Sequence, residues 1–341
     1  MFSNLVEAYY AQKLYPLLAS KISQATGIFP FSLAELIIIG SILILILKFF
    51  RFLLRLLTGI VSLFSLIQFL LKSLAGLVTL YVLFLLFWGL NYHRLPFSKI
   101  SGIEVSSVTS SELEGLCSYL VEKTNELRGL VEEDSSGFMK VPSPQDVLHR
   151  AQLGFEGAAK DHPQLAGTYA QPKAVFLSRA MSYLGIWGVY FPFTAEANVN
   201  MAIPNSQLPS IVCHEMAHQR GFAREDEANY IAYLTCQYHP DVDFKYSGSL
   251  LALLHSMRAL QNQNPQAAAR LKSNYSSGVK RDLVQLYQFS QKHQGPLQDL
   301  STEINNYYLK ANNQKDGVQS YGRMVDLLIA EYRQKLKNEF K

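Results

Sequence analysis

Cysteine is scarce in this chain: Cys117, Cys213 and Cys236 are the three in 341 residues. Three are too few for a disulfide framework, and they lack the close spacing of a zinc-thiolate site, so buried free thiols are expected. Charge is also thin. Charged residues make up 17% of the chain, and the net charge of +4 is mild. No basic run or base-stacking motif accompanies it, which argues against a nucleic-acid partner. There is no internal repeat. A cleavable signal is missing too, because the centre of residues 1–30 is polar and no small-residue cleavage site follows a short apolar core. With Leu14, Leu17, Leu18 and Ile22, this segment reads as an amphipathic helix lying on a membrane or on the protein itself.

Apolar residues, by contrast, are concentrated. Leu33 to Phe50 is nearly all Leu, Ile and Phe, long enough for one membrane span of about twenty residues. Leu56 to Tyr92 is apolar again, interrupted by Gln68 and Lys72. Its heart, Gly76 to Leu90, reads as a second span, preceded by an interfacial or tilted segment near 56–71; a third span is the alternative. Lys48, Arg51, Arg55 and Lys72 cluster between the spans, so the positive-inside rule puts that loop in the cytoplasm and the domain after Asn91 outside. Trp88, Tyr92 and His93 sit where an aromatic belt is expected. The chain therefore divides into an amphipathic segment (1–30), a membrane anchor with two or three transmembrane helices (31–92), and an extracytoplasmic domain (93–341). A multi-pass protein of the cell membrane is expected, with the lipid bilayer as a partner.

After residue 93 the pattern is mainly α with a small β platform. HRLPFSKISGIEVSSV reads as a linker. Ser111 and Glu114 have capping-box spacing for a helix to about Glu132, and Pro144–Lys160 reads as another helix. KAVFLS, near 173–178, and GVYFPFTAEANVNMAI suggest two or three strands. Further helices are expected at about 247–262, 265–292, 297–312 and 318–338. Glu196, Asn198 and Asn200 alternate, so they share one strand face. That face is either a solvent-facing edge or a platform that contacts substrate or supports the neighbouring helix.

The chemistry concentrates in SQLPSIVCHEMAHQRGFAREDEANYIAYLTCQY, residues 206 to 238. Two histidines four apart, His214 and His218, lie one turn apart on one helix face, where both can bind one Zn²⁺. Glu215 then stands beside the open position as the general base for water. This is the H-E-x-x-H signature of zinc hydrolases. Pro204, Ser206 and Pro209 mark the helix start and Gly221 its stop, and a second helix fits Ala223 to Tyr238. A third metal ligand must come from Glu225, Asp226 or Glu227. Glu225 shares a face with Ala228, Asn229 and Ala232, small enough for close helix approach, whereas Glu227 lines up with Tyr230, Ile231 and Leu234. Glu225 is therefore favoured over Glu227, with Asn229 one turn on as a support for a histidine ligand. Tyr307, Tyr308 and Tyr321 are candidate oxyanion donors. His255 lies with Leu251, Leu254 and Met257 and reads as packing.

EDEANYIA resembles the E-x-x-A-N/D segment of glutamate-ligated zincins, which implies a ligand role for Glu225 and a support role for Asn229. The gap from His218 to Glu225 is shorter than in most of that group. Arg224 stands where a metzincin would place its third histidine. The wider run YFPFTAEANVN…LPSIVCHEMAHQRGFAREDEANYIAYL resembles an uncharacterised bacterial membrane-protein family, domain of unknown function 3810. That resemblance extends to SYG near Tyr321 and implies a membrane-anchored, zincin-like protein. The expected function is a membrane-anchored zinc metallopeptidase that hydrolyses peptide bonds in a protein or peptide substrate on the extracytoplasmic side. The alternative is a sensor or scaffold that retains a zincin fold without turnover.

Overall fold

The computed structural model describes residues 1–58, 62–312, 314 and 324–339. Helices dominate, and a single small sheet of three strands is present among the described residues. β1 (Lys173–Ala174) runs parallel to β3 (Glu196–Val199), and β2 (Gly188–Phe191) runs antiparallel to β3 on its other side. The strand order β1-β3-β2 leaves β2 as an edge. β1 is far shorter than KAVFLS suggests. Val175 still donates to the Val199 carbonyl, but the next two backbone N–H groups, of Phe176 and Leu177, donate instead to the Glu35 carboxylate. The chain leaves the sheet there and turns into the helix Ser178–Tyr183.

Two helices, Leu33–Leu57 and Leu63–Phe87, are long and apolar enough to cross a membrane. Their side chains are almost entirely exposed, an apolar area far beyond what a protein surface in water normally carries. The second helix is continuous for 25 residues, so Leu63 to Leu71 belongs to the helix itself and not to a separate interfacial segment. The first runs to Leu57, seven residues beyond Phe50, because nothing in KFFRFLLRLL breaks a helix. Phe52 stacks on Phe69, which pairs the two helices near their far ends.

Residues 1–30 lie on the protein. The chain is helical from Phe2 to Thr26, with Val6–Leu14 wound as a π-helix. Val6, Tyr10, Tyr15 and Ala19 pack with Trp88, Tyr92 and Tyr190 in a small core of their own. The stretch read as a linker is also fastened down: Arg94 and Phe97 are both buried.

The main core lies under the helices Ser110–Arg128, Leu208–Gln219, Glu225–Tyr238 and Val242–Gln263. Several boundaries differ from the sequence expectation for identifiable reasons. The capping box is made by Thr109 and Glu112 rather than Ser111 and Glu114, which starts that helix at Ser110. The expected helix 265–292 is two helices, Pro265–Ser273 and Ser277–His293. Asn125 holds the break open by donating to the Asn274 carbonyl and accepting from the Ser276 N–H. The helix expected over 144–160 is likewise split at Ala151. Gly154 and Gly157 face the Thr235 and Tyr238 carbonyls so closely that an added Cβ would lie 2.5 and 2.8 Å from those oxygens. Cys117, Cys213 and Cys236 are buried free thiols.

Candidate metal centre

The signature helix Leu208–Gln219 is short and buried along nearly its whole length. Gly221, at φ 84°, reverses the chain in a left-handed conformation that suits glycine. An added Cβ there would also meet the Tyr15 ring at 2.8 Å. The following helix, Glu225–Tyr238, then returns alongside the first. This reversal brings three donor groups together. The Nε2 of His214 is 3.2 Å from the Oε2 of Glu225, and the Nε2 of His218 is 3.7 Å from the same oxygen. One ligand atom from each of His214, His218 and Glu225 lies within 4.8 Å of the others, close enough to share a metal ion. The two imidazole rings stand nearly perpendicular, 4.7 Å apart between centroids.

The His218 Nδ1 lies 2.7 Å from the Phe222 carbonyl. A carbonyl only accepts, so Nδ1 carries the hydrogen and Nε2 is left to bind a metal. Burial opposes charge on His218, but the Glu225 carboxylate outweighs it and pushes the imidazole up to about 9. The same histidines hold the Glu225 carboxyl well below the usual carboxylate range, against the opposing effect of its burial. A negative carboxylate between two imidazoles is a fitting donor set for a divalent cation.

Glu215 lies against the sheet, within electrostatic reach of His214, His218 and Glu225. Its Oε2 has no hydrogen-bond partner among the described residues, and the Tyr190 backbone N–H donates to its carboxylate. Burial raises its pKa, and the nearby histidines only partly offset this. Gly188, in the edge strand β2, lies directly against it. A Cβ built on Gly188 would fall 2.4 Å from the Glu215 Oε1 and 2.7 Å from its Cδ. This contact joins residues 27 positions apart through sheet packing, so local patterns do not reveal it; a glycine in a strand is the one available signal of close backbone approach.

Glu227, the alternative third ligand, faces elsewhere. It accepts from the Phe97 N–H at 2.8 Å and pairs with Arg224 at 2.9 Å. Asn229 is buried, but the bond expected from it to a histidine is not seen. His218 Nδ1 is taken by Phe222, while His214 Nδ1 and Asn229 Nδ2 each lack a partner among the described residues.

Glu196, Asn198 and Asn200 are buried and bonded within the protein. Glu196 accepts from the backbone N–H groups of Leu33 and Ala34, and Asn198 accepts from the Ser32 hydroxyl. Asn200 donates to Ser182 and to the Ile186 carbonyl. Glu196 and Asn198 thus hold the first turn of the helix Leu33–Leu57 and Asn200 the segment Ser182–Ile186, rather than facing solvent.

Aromatic residues close the cluster from the side of the apolar helices. Trp88, just past the end of Leu63–Phe87, sets its ring edge to face with His218 at 5.8 Å. Tyr92 donates to the Tyr308 hydroxyl at 3.1 Å. Beyond the effect of burial, the Glu225 charge raises both phenol pKa values, so both lie within its electrostatic reach. Of the three candidate oxyanion donors, Tyr308 is placed beside the cluster; Tyr307 is 66% exposed, and Tyr321 lies outside the described residues. His255 is partly buried, and burial, with Arg258 and then His214 adding to it, lowers its pKa to about 4. It is thus nearer the cluster than simple packing suggested. Residues 1–30 reach the cluster too. The Tyr15 hydroxyl lies 3.3 Å from the carbonyls of His218 and Gln219, and Arg94 donates to the Gly221 carbonyl while pairing with Glu7 at 3.0 Å.

The chain belongs to the family described as protein of unknown function (DUF3810), which it matches over residues 10–329. No curated protein matches it, and no solved structure does. The DUF3810 match takes in Tyr15, both apolar helices and the whole His214–His218–Glu225 cluster, so the apolar helices and the cluster fall within one family unit.

Proposed function

We propose that this DUF3810 protein is a membrane-anchored zinc peptidase. The observation that carries this reading is the convergence of His214, His218 and Glu225 within 4.8 Å, next to a buried glutamate whose Oε2 is unpartnered. Two imidazoles and one carboxylate suit Zn²⁺ and leave a coordination position open. When bound, the ion supplies a Lewis acid that acidifies water and polarises a carbonyl.

The chain's own residues do the rest. Glu215 takes a proton from the attacking water and passes it to the leaving nitrogen of the peptide bond; its raised basicity suits both tasks. The Tyr190 N–H orients its carboxylate and Gly188 leaves room for it. β2, as an edge strand, offers its backbone to an extended peptide running past Glu215. Tyr308 is the donor best situated to meet developing negative charge.

Leu33–Leu57 and Leu63–Phe87 serve as the two membrane spans. Their domain-side ends are Ser32–Ala34 and Phe87–Trp88, and the basic residues Lys48, Arg51, Arg55 and Lys72 lie towards the opposite ends. The positive-inside rule puts those ends in the cytoplasm and the metal cluster outside.

A site that only binds needs no general base, and the buried Oε2 of Glu215 has no partner among the described residues. Turnover is therefore favoured over a sensor or scaffold role. Glu215→Gln tests it: zinc content should match wild type, while peptides released from membranes by wild-type cells should disappear. Equal peptide profiles from the two would refute hydrolysis, and loss of zinc would refute the assignment of Glu215 as base.

A further inference from the structure

We propose that the domain beyond the spans rests on the membrane through the helix Pro296–Ala311, which lies in the plane of the lipid–water interface with Phe176 inserted nearby. The proposal depends on reading Leu33–Leu57 and Leu63–Phe87 as membrane spans, and is independent of the chemistry at the metal cluster.

Leu297, Leu300, Ile304 and Tyr307 are 60%, 54%, 60% and 66% exposed. At about 100° per residue, these four fall with Tyr308 on a single stripe roughly 100° wide. Leu309, on another side of the same helix, is fully buried and fixes the helix to the domain. The polar side, with Gln298, Thr302 and Asn306, looks into a polar groove of about 570 Å³ shared with the preceding helix. Leu297, Leu300, Ile304 and Tyr307 are thus turned away from the protein, while Tyr308, at the end of the stripe, meets the second apolar helix.

Two contacts set the level of this stripe. Tyr308 meets Phe84, in the last turn of the second span, with ring centroids 6.3 Å apart. On the other span, Glu35 in the first turn accepts the N–H groups of Phe176 and Leu177, and the Phe176 side chain beside it is 92% exposed. At the other end of the helix, Gln298 packs against Gly185, in the loop that follows Ser178–Tyr183. The helix therefore runs from that loop to the domain-side end of the second span. Its apolar side is continuous with the surface of the spans, which identifies lipid as the occupant. Asp299, Glu303 and Lys310 give no strong net charge to the helix, so the attraction is apolar and zwitterionic lipid suffices.

The test uses the full chain in phosphatidylcholine proteoliposomes. The three native cysteines are buried, so single exposed cysteines at Ile304, Phe176, Asp299 or Leu45 can each carry an environment-sensitive fluorophore. Ile304→Cys and Phe176→Cys should be quenched by lipids with a nitroxide near the headgroup and be shielded from aqueous iodide, at low and at high salt. Asp299→Cys, on the polar side of the helix, should show the reverse. Leu45→Cys, in the first span, should be quenched by a nitroxide deep in the acyl chain. If Ile304→Cys is open to iodide while Leu45→Cys is lipid-quenched, the docking is refuted and the anchor stands. If Leu45→Cys is also open to iodide, the anchor and the docking fall together. Neither outcome bears on zinc content, which reports on the cluster separately.

Discussion

Gly188→Ala isolates the role of the edge strand in the proposed chemistry. A Cβ at this position would lie 2.4 Å from the Glu215 Oε1, 2.5 Å from its Cγ and 2.7 Å from its Cδ. Ordinary van der Waals separation is about 3.5–4.0 Å, so strand and carboxylate must part by about 1 Å. Gly188 pairs with Val199 in register, and the sheet resists the shift, so the carboxylate is the group that moves. Overpacking of this kind costs about 1–3 kcal/mol of stability, a loss the fold survives. A displacement of about 1 Å in a catalytic group costs on the order of 100-fold in rate. The three atoms nearest a Cβ at Gly188 all belong to Glu215, so zinc affinity should hold. The assay is threefold: zinc content, thermal midpoint, and turnover of a peptide that separates wild type from Glu215→Gln. Gly188→Ala should bind zinc and stay folded while losing about two orders of magnitude in turnover. Wild-type turnover in a folded Gly188→Ala protein would refute the idea that β2 fixes the base.

Three further outcomes are expected. Glu225→Gln should weaken zinc binding by roughly 100- to 1,000-fold, a share of the ~10–16 kcal/mol typical of tight sites; Glu227→Gln should leave it nearly unchanged, because Glu227 serves Phe97 and Arg224, and a zinc titration of both decides which is the ligand. Glu7→Ala leaves the Arg94 guanidinium buried without its partner, so about 3–5 kcal/mol of stability should be lost, read as a lower denaturation midpoint; an unchanged midpoint would mean the N-terminal segment is not part of the cooperative unit. His239 is held below its ordinary pKa of 6.5 by burial, and its Nδ1 accepts the Asp241 N–H. The unfolded chain therefore binds that proton more readily, and the stability His239 contributes is complete above pH 6.5 and is lost as pH falls from 6.5 towards the folded-state value. The thermal midpoint should drop over that window in wild type and less steeply in His239→Asn; parallel slopes would exclude His239 as the source.

What could be read in advance follows the range of the interactions involved. His214 and His218 face one way because a helix repeats every 3.6 residues, and Glu225 follows after one tight turn, so the cluster is encoded within twelve positions. The two long apolar helices were legible for the same reason, since each is a local run of composition. Contacts that close the structure across long separations were not. Glu196 and Asn198 alternate as a wet strand would, yet their partners are the backbone N–H groups and hydroxyl at Ser32–Ala34, more than 160 positions away. A helix starting at Ser32 has free N–H groups in its first turn that need acceptors, which is the clue that the polar face had a buried use. The break at 274–276 likewise depends on Asn125, and helix periodicity on either side of it is unbroken.

The same long-range contacts bear on how the domain relates to the two apolar helices. The His218–Gly221 turn is what swings Glu225 back onto the histidines, and it is gripped from outside its own helices. Tyr15 reaches the carbonyls of His218 and Gln219, Gln219 donates to Ser23 at 2.9 Å, Arg94 donates to the Gly221 carbonyl, and Trp88 covers the His218 ring. Three of these four residues precede position 93, and the fourth is paired with Glu7. Removing residues 1–92 would expose the turn's carbonyls and leave Arg94 buried without a counter-charge, with penalties of about 1–3 kcal/mol for each unmet buried group. The domain after residue 93 is therefore not self-contained. The N-terminal segment and the end of the second apolar helix form one wall of the His214–His218–Glu225 cluster, which ties the geometry of the cluster directly to the position of the apolar helices.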